Sequence, residues 1–409
     1  MKCRHCGAEL ERVCLDLGSA PPSNAYLSEV ALRAPEVWYP LRLLVCERCW
    51  LVQTEDHAGR DDLFGDDYAY FSSFSSSWLA HARTYVEAMR TRFGLTRESL
   101  VCEVAANDGY LLRYVKDAGI PCFGIEPTAS TAAAARALGL EIVERFFGVE
   151  LGLELAAAGR QVDLVAANNV LAHVPDLNDF VSGFAALLKP EGVATFEFPH
   201  LLRLLRENQF DTVYHEHYSY LSLGAVARVF ESNGLAPFDV DELTTHGGSL
   251  RVFAQRRDTG RRATADAVQR VLGEEAAAGL TTAAGYQGFQ ARVDKLKDDF
   301  MAFLIEARRA GRKVAAYGAA AKGNTLMNYA GVRPDLIAFV VDRNPAKQGR
   351  FMPGSRIPIV DEARLRAEHP DDVVLLPWNL RDELMAQLDY VPAWGGRFVT
   401  AVPELRFVP

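Results

Sequence analysis

The chain has 409 residues, 49% hydrophobic and 24% charged, the profile of an ordinary folded protein with room for two or three domains. A formal net charge of −9 and a pI near 5.6 argue against a nucleic-acid partner, because phosphate backbones call for a basic face. The opening MKCRHCGAEL lacks an apolar signal core, and no apolar run is long enough to cross a bilayer, so we expect a cytoplasmic protein with no membrane partner.

Seven cysteines in such a compartment are thiols or metal ligands rather than disulfides. Four of them form two CxxC pairs, Cys3 with Cys6 in CRHC and Cys46 with Cys49 in CERC. Each CxxC turn aims two thiolates at one point, and two turns complete a tetrahedral Zn²⁺ site. Four thiolates leave no open position, so the zinc is structural. Cys14, Cys102 and Cys122 stand alone and read as buried thiols.

From about residue 75 strands and helices alternate. LVCEVA (100–105), CFGIEP, EIVERF, VDLVAANNV and VATFEFP read as strands, with helical stretches such as TAAAARALG and LNDFVSGFAALLKP between them. That is a doubly wound parallel sheet. The rhythm then changes. LSLGAVARVFESNG reads as a helix with Ser222 near its start and Gly234 at its end. FDVDEL and SLRVFAQRR follow as two strands with no helix between. Five parallel strands, a helix and a strand hairpin match the seven-stranded sheet of class I methyltransferases. Residues 265–300 predict a connecting helix. A second α/β unit follows, with KVAAYGAAAKGNTLMNYAG as strand, glycine loop and helix, then strands in IAFVVDRNP and DVVLLPWN.

The loop CEVAANDG replaces the acid-x-Gly-x-Gly-x-Gly of methyltransferases. Glu103 holds the acid position, Ala105 and Asn107 stand for the first two glycines, and Gly109 remains. Alanine is nearly as small as glycine and asparagine tolerates the left-handed region, so the loop can still approach an adenosylmethionine tail. Glu126 ends the second strand about twenty residues later, where a carboxylate can hold two ribose hydroxyls. Such an acid would also suit NAD, and it would also suit a bare strand end. Asn168 and Asn169 close the fourth strand at the edge where ligands bind in this architecture, and His173 follows them.

YHEHYSY (214–220) hangs over the same edge. Its histidines are two apart, not the four apart of a helical HExxH site. In an extended segment His215 and His217 share one face, so a metal pair with a third ligand from His173, His200 or His246 is one reading. A polar structural corner is another. Acid–base chemistry is favoured, since histidine serves as general base near neutral pH and a neighbouring Glu or Tyr can orient it.

Together these motifs give the chain a clear resemblance. The paired CxxC knuckles, SNAYL (23–27), DYAYFSSFSSSW (67–78), CEVAANDGYLL, AANNVLAHV, YHEHYSY, YGAAAKGNT and VVDRNPAKQGRFMPG stand in the order found in nucleotide-sugar C-methyltransferases. These enzymes build branched deoxysugars of antibiotics and other microbial products. Within that family the chain is similar to C-3 methyltransferases of tetronitrose-type biosynthesis. The resemblance spans essentially the whole chain. It implies a zinc-binding domain over 1–74, an S-adenosylmethionine-binding class I methyltransferase domain over 75–262, and a Rossmann-like domain over 263–409 that helps hold the sugar nucleotide. It implies His217 as base, with Tyr68, His173, Tyr214 and Glu216 at other active-site positions. It implies Glu103, Ala105, Asn107, Gly109, Glu126, Asn168 and Asn169 for the cofactor. For the dTDP-linked keto-deoxysugar it implies Asn24, Tyr26, Lys322, Gly323 and Asn324, in a monomer or weak oligomer.

A 4-keto group makes the neighbouring C-3 and C-5 protons removable. The gap between such a proton and an imidazolium is on the order of ten pKa units, or ~14 kcal/mol. Hydrogen-bond donors must therefore stabilise the enolate oxygen, a role expected of Tyr214 and His173, while Glu216 fixes the geometry or tautomer of a neighbour. Gly318, Lys322 and Gly323 lie between a strand and a helix, where a pyrophosphate or a plain structural turn would fit. The competing readings are an NAD(P)-dependent sugar oxidoreductase, which calls for a glycine fingerprint neither loop supplies, a zinc-knuckle adaptor that binds nucleotide without turnover, and a metal hydrolase built on the two histidines.

Overall fold

The computed structural model describes residues 1–57 and 71–408. Three sheets organise the chain. The first begins with β1 (Arg12–Ala20), β2 (Tyr39–Val45) and β3 (Val52–Thr54), an antiparallel meander placed beside the cysteine pairs.

The second sheet is the core of the fold. It contains β4 (Val101–Val104), β5 (Cys122–Ile125), β6 (Glu141–Val143), β7 (Val162–Asn168) and β8 (Leu188–Pro199). A short strand, β9 (Ser219–Tyr220), leaves this unit and adds to the first sheet, where Tyr220 pairs with Val52 and Ser219 with Gln53. The hairpin β10 (Leu235–Leu243) and β11 (Ser249–Arg256) completes the core sheet in the order β10-β11-β8-β7-β4-β5-β6. Only β11 runs against its neighbours, as the hairpin in the sequence requires. Strand β4 pairs with both β5 and β7, so the winding direction reverses there and opens a crevice at the carboxyl ends of the strands. Val101–Val104 are buried throughout, as expected for a strand covered by helices on both faces.

Helix Leu223–Ser232 starts where its cap predicts. The Ser222 hydroxyl accepts from the Ala225 amide at 3.1 Å, and Val226, Val229 and Phe230 turn their apolar face to the sheet. The single connecting helix expected over 265–300 is instead two, Asp266–Ala277 and Phe289–Arg309. Glycine is the reason. Gly279 sits at φ 83°, and a Cβ on Gly285 would lie 2.2 Å from the Gly279 carbonyl, so the chain folds on itself between them.

The third sheet comprises β12 (Val314–Tyr317), β13 (Val340–Val341), β14 (Ile359–Val360), β15 (Asp372–Leu375), β16 (Arg397–Thr400) and β17 (Arg406–Val408), in the order β14-β13-β12-β15-β16-β17. Its five parallel strands reverse at β12 just as the core sheet reverses at β4. One apolar cluster runs from Leu43 and Val52 through Phe210 and Phe300 to Val374, so the first and third sheets share a core across the 201–220 segment. Among the described residues no helix is long and apolar enough to cross a membrane.

Candidate active site

The four cysteines converge. The sulfurs of Cys3, Cys6, Cys46 and Cys49 all lie within 4.8 Å of one another. Tetrahedral Zn–S bonds of about 2.3 Å would set sulfurs about 3.8 Å apart, so the group fits zinc. Among the described residues no other three metal-type ligands gather.

The edge of the core sheet collects the cofactor residues named from sequence. Ala105 and Asn107 adopt φ 59° and 49°, the left-handed conformation that glycine would otherwise supply, and Gly109 sits at φ 80°. Glu126 binds this loop directly. Its Oε2 accepts from the Asn107 amide and its Oε1 from the Thr128 amide, each at 2.9 Å. Burial raises its carboxyl above the usual carboxylate range. Both carboxylate oxygens of Glu103 are buried beside the Tyr110 hydroxyl, and among the described residues neither they nor Oδ1 of Asp108, Asn168 and Asn169 make a well-formed hydrogen bond. Burial pushes the Glu103 carboxyl well above its ordinary value. Buried polar atoms left without partners among the described residues call for a ligand that satisfies them, and the ammonium and ribose hydroxyls of adenosylmethionine would do so.

YHEHYSY is pinned on both sides. The Thr54 amide bonds the Tyr218 carbonyl, the Thr54 hydroxyl bonds the His217 carbonyl, and the Tyr218 amide bonds the Ala172 carbonyl. The segment is turned rather than extended, with the His217 amide donating to the Tyr214 carbonyl at 3.0 Å. His215 and His217 therefore diverge. His215 donates through Nε2 to the Pro40 carbonyl at 3.2 Å, while His217 turns to the Thr212 carbonyl and the Tyr214 hydroxyl. The shared face required for a metal pair does not form.

His217 has a defined tautomer. Its Nδ1 donates to the Thr212 carbonyl at 3.1 Å, and its Nε2 accepts from the Tyr214 hydroxyl at 2.9 Å. Burial first, then the neighbouring His173, hold its pKa well below the ordinary imidazole value. His173 packs edge-on at 4.5 Å between ring centroids. It spends its Nδ1 proton on the Glu216 carbonyl at 2.8 Å, and burial lowers its pKa to about 4. In its neutral form His173 has its Nδ1 proton committed to Glu216, and its ring packs against His217. Glu216 meets His173 through its main-chain carbonyl. Its carboxyl turns away to Asn24, accepting from the side-chain amide at 3.2 Å, with Oε2 buried and unpartnered. Tyr68 lies outside the described residues.

The residues expected on the sugar-nucleotide side join the N-terminal segment to the third-sheet segment. Tyr26 donates to the Ala319 carbonyl at 2.6 Å, and the Asn324 amide donates to the Ser23 carbonyl. Lys322 donates to Asn379 Oδ1 at 2.7 Å and lies 4.8 Å from the centre of the Trp378 ring. Trp378 in turn donates to Asp211 Oδ2 at 2.7 Å. Gly323 is glycine for packing, since a Cβ there would meet Leu376 Cδ1 at 2.7 Å. The Ala319 amide is taken by Asp342 at 2.8 Å, which leaves the glycine loop less free for a phosphate than its sequence suggested. Asp211, Trp378 and Asn379 escaped the sequence reading, and His246 entered it only as a possible third metal ligand. A histidine before two glycines in a hairpin turn was the one available signal.

The reversal of the core sheet, the left-handed loop at its edge and the four-cysteine group are those of a class I S-adenosylmethionine-dependent methyltransferase with a zinc-binding N-terminal sheet. Comparison with known proteins agrees. A family described as C-methyltransferase C-terminal domain matches residues 244–403, a methyltransferase domain family matches 78–239, and a zinc binding domain family matches 3–64. C-methyltransferase NovU of Streptomyces niveus is 35% identical over 412 residues, covering 100% of this chain and 96% of that protein. Among solved structures, magnesium protoporphyrin IX methyltransferase of Synechocystis PCC 6803 is 16% identical, covering 44% of this chain and 83% of its own at a TM-score of 0.35. An S-adenosylmethionine-dependent methyltransferase of Clostridium acetobutylicum ATCC 824 is 11% identical, covering 44% of this chain and 92% of its own at a TM-score of 0.35. The chain belongs to the C-methyltransferase family that includes NovU. That membership sets aside the oxidoreductase, adaptor and hydrolase readings.

Proposed function

We propose that this enzyme methylates a carbon next to the ketone of a dTDP-linked 4-keto-deoxysugar, with C-3 as the favoured position, in the biosynthesis of a branched deoxysugar. The observation that carries the reading is the Tyr214–His217 pair, a neutral imidazole whose Nδ1 is fixed by a carbonyl and whose Nε2 faces a hydroxyl donor 2.9 Å away. An α-hydrogen and its keto oxygen lie on adjacent centres, so a base and a donor this close can address both.

His217 Nε2 takes the α-proton. The C–H electron pair moves to the ketone, whose oxygen becomes an enolate. The Tyr214 hydroxyl turns from Nε2 to that oxygen as the base is used. Lys322 adds a nearby positive charge, although burial lowers its pKa. Because burial also weakens His217 as a base, stabilisation of the enolate carries more of the barrier than it would around an ordinary histidine. S-adenosylmethionine, when bound, supplies the electrophilic methyl group that the enolate carbon captures. Glu103, Ala105, Asn107, Gly109, Glu126, Asn168 and Asn169 would hold it. Asn24, Tyr26, Lys322, Gly323 and Asn324 border the sugar-nucleotide side. The C-3 position and the thymidine rest on the resemblance to tetronitrose-type enzymes.

The test is mass spectrometry of products from a panel of nucleotide-linked 4-keto-deoxysugars incubated with S-adenosylmethionine. A gain of one methylene mass on a ring carbon of a dTDP sugar is the expected result. A methyl group placed on oxygen, nitrogen or the base would contradict the reading.

A further inference from the structure

His246 occupies an unusual position in the hairpin between β10 and β11. Its backbone lies in the left-handed region, φ 53° and ψ 23°, and Gly247 and Gly248 continue at φ 87° and 112°. A non-glycine residue is held there only when its surroundings impose it. They do so here. The Thr245 hydroxyl donates to Glu197 Oε1 at 3.0 Å, and Arg251 holds the buried Glu197 at 2.7 Å. Gln209 donates to the Gly247 carbonyl at 2.7 Å, and the His200 amide bonds the Gly248 carbonyl at 3.0 Å.

The ring is as constrained as the backbone. The Asn169 side-chain amide donates to His246 Nε2 at 3.1 Å, and Trp78 packs on the ring at 5.3 Å between centroids. With Nε2 as acceptor, the ring proton sits on Nδ1. Among the described residues that Nδ1 has no hydrogen-bond partner. The same turn touches the substrate side, since a Cβ on Gly247 would lie 2.5 Å from the Trp378 ring on which Lys322 rests. His246 and Lys322 are both within electrostatic reach of His217. The histidine therefore bonds a residue at the cofactor edge and sits in a turn that reaches Trp378 and Lys322, and among the described residues nothing takes its Nδ1 proton.

We propose that His246 is a further catalytic residue, whose Nδ1–H donates to the keto oxygen of the sugar across the crevice from the Tyr214–His217 pair. It supplies a second donor, since the Nδ1 proton of neutral His173 is committed to Glu216. The assignment rests on the C-methylation reading above. No bond is made or broken at His246; the donor stabilises negative charge that His217 creates.

The test compares His246→Gly and His246→Asn with wild type in two assays. One is methyl transfer to the sugar nucleotide, with kcat and KM resolved for both substrates. The other is washout of the sugar α-hydrogen in deuterated water with S-adenosylhomocysteine in place of the methyl donor. Glycine accepts the left-handed backbone without strain and removes the donor. Asparagine also tolerates that backbone and places an amide N–H near the position of Nδ1. His246→Gly should lose about 10²-fold in kcat and in washout, the usual scale for one oxyanion donor. His246→Asn should recover much of both. Wild-type kcat and washout in His246→Gly would overturn the proposal. So would a loss confined to KM for S-adenosylmethionine, which would make His246 only a strap for Asn169. A wild type that methylates no keto sugar would remove the substrate reading first and this inference with it.

Discussion

Replacing Ala105 by glycine should stabilise this protein, although the same change at Asn107, two residues on, should weaken it. Ala105 sits at φ 59°. The left-handed region costs a residue with a Cβ roughly 1–2 kcal/mol. Glycine removes that cost but returns about 0.5–1 kcal/mol through the greater freedom of the unfolded chain. The expected net gain for Ala105→Gly is about 0.5–1 kcal/mol. Asn107, at φ 49°, belongs to a residue type that tolerates this region, so glycine relieves little there. It would also delete the bond from the Ser72 amide to Asn107 Oδ1 at 2.9 Å. A lost bond of about 1 kcal/mol plus the entropy of glycine predicts a loss of roughly 1.5 kcal/mol. Valine at 105 would be worse still, because a β-branched residue is a genuine outlier at such a φ. Thermal unfolding midpoints measure all three. Near 2–4 °C per kcal/mol for a unit of this kind, Ala105→Gly should rise by about 1–4 °C while Asn107→Gly falls by about 3–6 °C. A fall in Ala105→Gly would refute the strain argument and, with it, the account of how this loop dispenses with glycines.

Further predictions concern zinc, pH and packing. Metal analysis should find zinc in wild type, and Cys46→Ser should lose both metal and thermal stability. Because β3 pairs with β9 beside His217, methyl transfer should fall with the zinc; full activity in metal-free, folded protein would separate the knuckles from the site. The kcat–pH profile should stay flat down to about pH 6.5 and decline only in more acid solution, because a base whose pKa is lowered remains deprotonated as pH falls towards the ordinary imidazole value. An acid limb at or above that value, tied to His217, would contradict its buried, neutral state. Gly323→Ala drives a methyl to 2.7 Å from Leu376 Cδ1 and should destabilise by about 1–3 kcal/mol while raising KM for the sugar nucleotide through displacement of Lys322. Unaltered stability and KM would show that the contact yields freely.

Much of this was readable before any coordinates. The cysteine spacing, the strand and helix alternation and the terminal hairpin each follow local rules, so the core sheet and the metal group were predictable. The stand-in of Ala105 and Asn107 for glycines was readable too, because backbone tolerance is a property of the residue itself. What escaped was the direction of side chains across sheets. Glu216 neighbours two histidines in sequence, yet its carboxyl belongs to Asn24. The tautomer of His217 is set by the Thr212 carbonyl, a main-chain group that sequence does not mark. Asp211 and Trp378 are 167 residues apart and show no pattern in common, although their bond ties the third-sheet segment to the 210–212 turn. The break between the two connecting helices was missed because the apolar and alanine periodicity outweighed three glycines whose effect depends on close approach of the backbone.

The central claim is that His217 removes a proton from a carbon beside a sugar ketone. Its most direct test is hydrogen exchange at that carbon, followed by mass spectrometry in deuterated water with S-adenosylhomocysteine bound, for wild type and His217→Asn. The account predicts deuterium entering a single ring carbon with wild type and none above background with His217→Asn, while both proteins bind the nucleotide sugar. Exchange at the wild-type rate in His217→Asn would contradict it and move the base elsewhere in the crevice.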